Sequence, residues 1–154
     1  MPNTHFKPKS GARYGRMITV IGKELSASPF TANNTQTHRM PCPPGKCYLL
    51  GASVHALTAG SDADGTLVIR VMRRRASDDV RTQITDDFNL EGLTVRERAR
   101  LIPTAANADN LRMLNDPGTG VAGDVFEIDC VSNSAVIDAQ PTGVTVSLEI
   151  AILE

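Results

Sequence analysis

From Val144 to Ile152 every second residue is apolar. Val144, Val146, Leu148, Ile150 and Ile152 fall on one side of an extended chain, and Thr145, Ser147 and Glu149 on the other. That period of two belongs to a β-strand, because a helix repeats near 3.6 and would scatter the same side chains around its axis. One apolar and one polar face predict a half-buried antiparallel strand. Burying each of the five side chains is worth about 1.5–3 kcal/mol before the entropy of ordering it. A slip of one residue would expose all five, so the register is strongly specified. The stretch before it repeats the pattern: Phe126, Ile128 and Cys130 point one way, Glu127 and Asp129 the other, after a turn at Gly123-Asp124.

The rest of the chain reads as further short strands separated by turn residues. Met17–Gly22 is a strand candidate, and residues 26–46, rich in Ser, Thr, Asn and Pro, read as loop with one short edge strand. Pro43-Pro44-Gly45 is a turn, since Pro presets φ and Gly supplies positive φ. A strand follows over Cys47–Leu57, with Leu50, Ala52, Val54 and Ala56 on one face. Ser61–Gly65 reads as a hairpin-type turn with Asp64-Gly65 at its tip. Thr66–Arg75 is the next strand, its Leu67, Ile69 and Val71 alternating with Val68, Arg70 and Met72, and Val80–Phe88 is its expected partner with Ile84 inward. Thr94 and Glu97 have the spacing of a helix-start capping box, but Arg96, Arg98 and Arg100 alternate as on an edge strand, and a strand over Arg98–Ile102 is the reading preferred here. Residues 105–122 read as a long loop with one short strand at Leu111–Leu114. A count of about eight short strands with turn signals between them predicts an all-β, jelly-roll-like antiparallel β-sandwich.

Composition fits that fold. The chain has 154 residues, enough for one domain with a core of its own. Aromatics make up 4% and Trp is absent, so the core must be built from Val, Ile, Leu and Ala. Residues 1–16 show neither period, and hold two Pro, two Gly and four basic residues. They are read as an extended basic arm, and 17–154 as a single sandwich domain. The charge is split: residues 1–61 hold seven basic groups and one acid, residues 62–154 nine basic groups and sixteen acids. A basic front and an acidic back suggest contact with an acidic surface or between copies of the chain. The arm residues Phe6, Lys7, Lys9, Arg13, Tyr14 and Arg16 are the candidate partner-binding set, four charges with two aromatic anchors. The first 15 residues contain no apolar h-region and no apolar run approaches 18 residues, so neither a secretory leader nor a membrane span is expected. The sequon at Asn33-Asn34-Thr35 is accordingly expected to stay unmodified.

Motifs for chemistry are sparse. There are three His residues, His5, His38 and His55, and no nucleophile elbow, zincin helix, dinucleotide fingerprint or P-loop. No catalytic residue is assigned. His38, Cys42, Cys47 and His55 offer a two-Cys, two-His set, but the spacing is not that of a zinc knuckle, and no metal or other cofactor is expected. Cys42 and Cys47 flank a tight turn and could be bridged or free, while an odd total of three with Cys130 argues against a disulfide framework. Asp62-x-Asp64-Gly65 begins like a calcium loop, but Arg73 stands where the loop needs its twelfth-position Glu. Asp78-Asp79 and Asp86-Asp87 read as solvated turn acids. Arg73-Arg74-Arg75 lies in the acidic half without stacking aromatics, so it reads as a charged strand end and no nucleic-acid partner is expected.

Three stretches carry a resemblance. Ala122–Ser134 and Gln140–Ile150 resemble the closing strands of small β-sandwich proteins of tailed-phage virions. Pro43-Pro44-Gly45-Lys46 followed by Tyr48–Ser53 resembles their early core strand. These are capsid decoration (cement) proteins and related head or fibre components, and the resemblance spans residues 41–154. It implies a structural, non-enzymatic protein on the capsid exterior, bound to the major capsid protein, commonly as a homotrimer that bridges neighbouring capsomers. The chain departs from the pattern over 89–121, which is longer and richer in Arg. A receptor- or glycan-binding module of a tail or head fibre is the alternative.

Overall fold

The computed structural model describes residues 17–104, 112–115 and 123–153. The arm, with Phe6, Lys7, Lys9, Arg13, Tyr14 and Arg16, lies outside the described residues. The strands are β1 (Met17–Glu24), β2 (Thr35–Pro41), β3 (Gly45–His55), β4 (Leu67–Arg74), β5 (Arg81–Gln83), β6 (Phe88–Asn89), β7 (Arg98–Leu101), β8 (Arg112–Asn115), β9 (Val125–Ser132) and β10 (Thr145–Leu153). Among the described residues the only helical turn is a 3-10 turn at Leu90–Gly92, capped by the Asn89 side chain, whose oxygen accepts from the Glu91 N–H.

Two antiparallel sheets pack face to face as a β-sandwich. Sheet I has the order β1-β10-β3-β7, with β8 beside the first residues of β3; sheet II has the order β2-β9-β4-β5, with β6 beside β4. The core lies between them. Leu49, Val54, Leu101, Val146, Leu148 and Ile150 come from sheet I, and Leu67, Ile69, Val71, Phe126, Ile128 and Cys130 from sheet II, each at most 1% exposed. Leu25 and Phe30, in the β1–β2 connection, close one end of it. Phe30 is held there by a reciprocal pair of bonds: its N–H donates to Gln140 Oε1 at 3.2 Å, and Gln140 Nε2 donates to its carbonyl at 2.8 Å.

The two closing strands read from the sequence are both present, but they do not pair with each other. β9 is central in sheet II and β10 central in sheet I, and their apolar faces meet across the core. The turn at Asp62–Gly65 is likewise a sheet-to-sheet crossing and not a hairpin tip, because β3 and β4 belong to different sheets. Ile152 is only half-buried, whereas Val144, Val146, Leu148 and Ile150 are buried as the alternation predicts.

Two expectations about strands are corrected by local hydrogen bonding. Leu50 does not share the inner face with Ala52, Val54 and Ala56. Glu149 pairs with Gly51 and Ile150 with Leu49, so Leu50 is an extra residue in a β-bulge. The bulge puts Cys47 and Leu49 inside and turns Leu50 and Gly51 together toward the outer face. Val80–Phe88 is not one strand either. The Val71 N–H, where a continuous ladder would take a backbone carbonyl, donates to Thr85 Oγ1 at 2.9 Å. The chain leaves β4 there, bridges Pro103, and returns as β6, with Ile84 fully buried.

Candidate functional site

The two outer faces of the sandwich differ in what they do with charge. On sheet II, β9 directs Phe126, Ile128 and Cys130 inward and therefore Glu127 and Asp129 outward. Both carboxylates are nevertheless sealed from solvent, at 0% and 1% exposure. Arginines from three other strands cover them. Glu127 accepts from Arg74 Nε at 2.7 Å and Arg81 Nε at 2.5 Å, with Arg39 at 3.4 Å. Asp129 accepts from Arg81 Nη2 at 2.6 Å and from Thr37 Oγ1 at 2.8 Å, and Arg70 Nε lies 3.8 Å away. Asp79 and Asp87 take the outer sides of Arg74 and Arg70. Burial alone would push Glu127 up, but the bonds and charges of Arg74 and Arg81 outweigh it and hold the carboxyl below its ordinary value. Arg81, whose burial opposes its charge, is held above its own ordinary value by the same two carboxylates. This face is a closed polar plate.

At one end of the plate Arg73 turns inward and donates from Nη2 and Nε to Asp124 Oδ2 at 2.6 and 3.1 Å. Asp124 Oδ1 accepts the Ala76 N–H at 2.9 Å, which pins the β4–β5 turn. Arg75 pairs with Asp78. The triple-arginine run and the acids at 78–79 are thus spent on one another, on Asp124 just before β9 and on Glu127 within it. Nearby, Cys42 and Cys47 are buried and not joined by a disulfide, with Sγ atoms 2.9 Å apart. Their contact and their burial raise Cys42, and the hydrogen bond from Cys42 lowers Cys47. His55 does not join them. It ends β3 on the outer face, eight residues or about 27 Å along the strand from Cys47. Among the described residues no group of three or more His, Cys, Asp or Glu is placed to hold a metal ion.

Sheet I presents the opposite case. The bulge at Leu50 leaves Gly51 and Ser53 as a low floor along the centre of its outer face. Beside them β7 lays Arg100 opposite Ser53 and Arg98 opposite His55. Ala99 packs on the core and Leu101 is buried in it, so the two arginines stand outward, and both are exposed. Glu149 of β10 borders the other side. The result is an open recess of about 240 Å³ lined by Gly51, Ala52, Ser53, Arg98, Arg100 and Glu149. A Cβ at Gly51 would sit 3.5 Å from Glu149 Oε2 and 3.9 Å from Arg100 Nη2, so both charged ends hang over that glycine.

No family model, curated protein or solved structure matches this chain. The site is therefore read from its own residues. Of the sequence candidates, the structure consumes Arg73, Arg74 and Arg75 in structural ion pairs and brings Cys42 and Cys47 together. It buries Asp62 at 4% exposure, where Oδ2 accepts from Ser134 Oγ at 2.6 Å. Sequence reasoning placed β7 and its alternating arginines but assigned them no role. The signal was present in that alternation; what the sequence could not supply was the bulge that lowers Gly51 beside them.

Proposed function

We propose that this chain is a structural virion protein that binds the outer surface of an icosahedral phage capsid and bridges neighbouring capsomers. The observation that carries the reading is strand order. A sandwich of β1-β10-β3-β7 on β2-β9-β4-β5 follows the order of an eight-stranded jelly roll, with β8 and β6 as continuations at the β7 and β5 edges. Viral capsid domains and lectins are built on that architecture. Against the lectin branch stand the aromatics. Phe30 and Phe126 are core residues, and Tyr48 and Phe88 pack against the core, which leaves no exposed stacking platform for a sugar among the described residues.

In this reading the plate on sheet II keeps the sandwich rigid, while sheet I and the basic arm before β1 supply contacts. Binding many copies to the folded shell stabilises it by mass action, and a trimer adds avidity. A three-fold trimer would use a head-to-tail interface, in which each copy offers two different patches.

The test is the copy number of this chain in purified particles, read by gel densitometry. Hundreds per particle support a cement protein. A handful or tens assign it to a tail or fibre instead, and none ends the virion reading. A protein lacking residues 1–16 should fold and decorate shells more weakly, whereas unchanged affinity would dismiss the arm as a contact.

A further inference from the structure

The arginines whose side chains are described divide into two groups. Arg39, Arg70, Arg73, Arg74, Arg75 and Arg81 each have a carboxylate within ion-pair distance. Arg96, Arg98 and Arg100 are all exposed, and among the described residues none of them has one. A chain with seventeen acidic residues has left two cations on one edge strand, Arg98 and Arg100, and a third, Arg96, in the turn before it, while neutralising every other arginine whose side chain is described.

The row has a geometry. Arg98 and Arg100 are two residues apart in β7 and so lie on one face, about 6.6 Å apart along the strand. β7 ends the strand order of sheet I, so a chain laid beside it would find side-chain partners at about 5 Å. An extended peptide with a carboxylate at every second residue has that same repeat. The recess over Gly51 and Ser53 opens next to these guanidiniums and can admit an acidic side chain between Arg98 and Arg100, the planar fork being suited to a carboxylate. Phosphate backbones fit less well. The described aromatics that might stack the bases of a single strand are in or against the core.

We propose that this edge of sheet I is a docking surface for an extended acidic segment of a partner protein, with alternate carboxylates on Arg98 and Arg100. The proposal deepens the capsid reading and rests on it only for the source of that segment.

The probe is a fluorescent peptide of alternating Glu and Ser, with three controls: the same composition in two blocks, alternating Gln and Ser, and a short oligothymidylate. Binding is read by fluorescence anisotropy at low salt on the full chain. The alternating acidic peptide should bind tightest. The double variant Arg98→Ser, Arg100→Ser should weaken it by at least about tenfold, since each bond to a charged group is worth that much, with the thermal midpoint unchanged. Glu149→Gln keeps both arginines and removes the opposing charge, so it should tighten binding. No binding by the wild-type protein, equal binding by the double variant, or a preference for the block peptide or the oligonucleotide would each overturn the proposal. The two readings separate cleanly. Peptide binding without shell binding sinks the capsid reading alone; shells decorated equally by wild type and double variant sink this surface alone.

Discussion

Arg81 of β5 reaches across the full width of β4 to bond Glu127 on β9, Nε to Oε2 at 2.5 Å. A second nitrogen, Nη2, donates to Asp129 Oδ1 on the same strand as Glu127 at 2.6 Å. One guanidinium therefore ties β5 to β9 over the intervening β4, through two carboxylates that water does not reach. Arg74 also bonds Glu127, but its second partner is Asp79, 79% exposed. Removing one side of a buried ion pair leaves the other charge desolvated and uncompensated. Arg81→Ala should thus cost about 3 kcal/mol, and more than Arg74→Ala, in urea unfolding.

The same pair sets an acid limb. Glu127 is held below its ordinary value in the folded protein. Its contribution is therefore complete above the unfolded carboxyl value of about 4.3 and drains away as pH falls through the lower folded value. Stability measured against pH should be flat in this term above about pH 5 and fall below about pH 4. Glu127→Gln should lower the plateau and flatten that fall; a variant that keeps the wild-type acid limb would show that other carboxylates set it.

The thiols should separate by reactivity. Cys130 is fully buried, and burial, with the Asp129 charge added, pushes it up to about 12. In the folded protein at about pH 8 it should resist iodoacetamide and react once the chain is unfolded, as read by mass spectrometry of digests. Cys47 is lowered by the bond from Cys42, so Cys42→Ala should move its titration upward, followed by ultraviolet thiolate absorbance.

Two glycines in left-handed backbone should respond differently to alanine. Gly60, at φ +77°, would bring a Cβ within 2.8 Å of the Ala139 carbonyl oxygen and of the Pro141 nitrogen, which are backbone atoms in a bridged loop. Gly143, at φ +57°, would meet the Leu57 side chain, which is 53% exposed and free to swing aside. Gly143→Ala should cost the conformational penalty of about 1–2 kcal/mol and whatever displacing the exposed Leu57 side chain adds. Gly60→Ala should cost clearly more, visible as the larger loss of thermal midpoint.

What was legible in the sequence was what period two encodes. The inward sets of β4, β9 and β10 follow from alternation alone, and so does the outward pairing of Arg98 with Arg100. Leu50 was misplaced because a bulge is a property of two strands at once: only the register of β10 against β3 shows that Glu149 faces Gly51 and Ile150 faces Leu49. The split of 80–88 into two strands was hidden because it turns on a side-chain oxygen, Thr85 Oγ1, replacing a backbone acceptor. Alternation puts Glu127 and Asp129 on the face opposite Phe126, Ile128 and Cys130 but does not show that they are sealed there, because the arginines that bury them arrive from β2, β4 and β5, none of which is adjacent in sequence. The candidate arm residues Phe6, Lys7, Lys9, Arg13, Tyr14 and Arg16 lie outside the described residues.

The pairing of β1 with β10 carries a mechanical consequence. Met17 lies opposite Ile152 and Glu24 opposite Thr145, eight pairs in antiparallel order. The first strand therefore enters sheet I at the corner where the last strand leaves it. Tension applied through the chain before Met17 and through the end of β10 would peel this ladder one rung at a time, never loading all its rungs in shear. Detachment of a copy gripped by its leading segment would begin as a local unzipping of β1, with the cross-linked plate of sheet II still intact behind it.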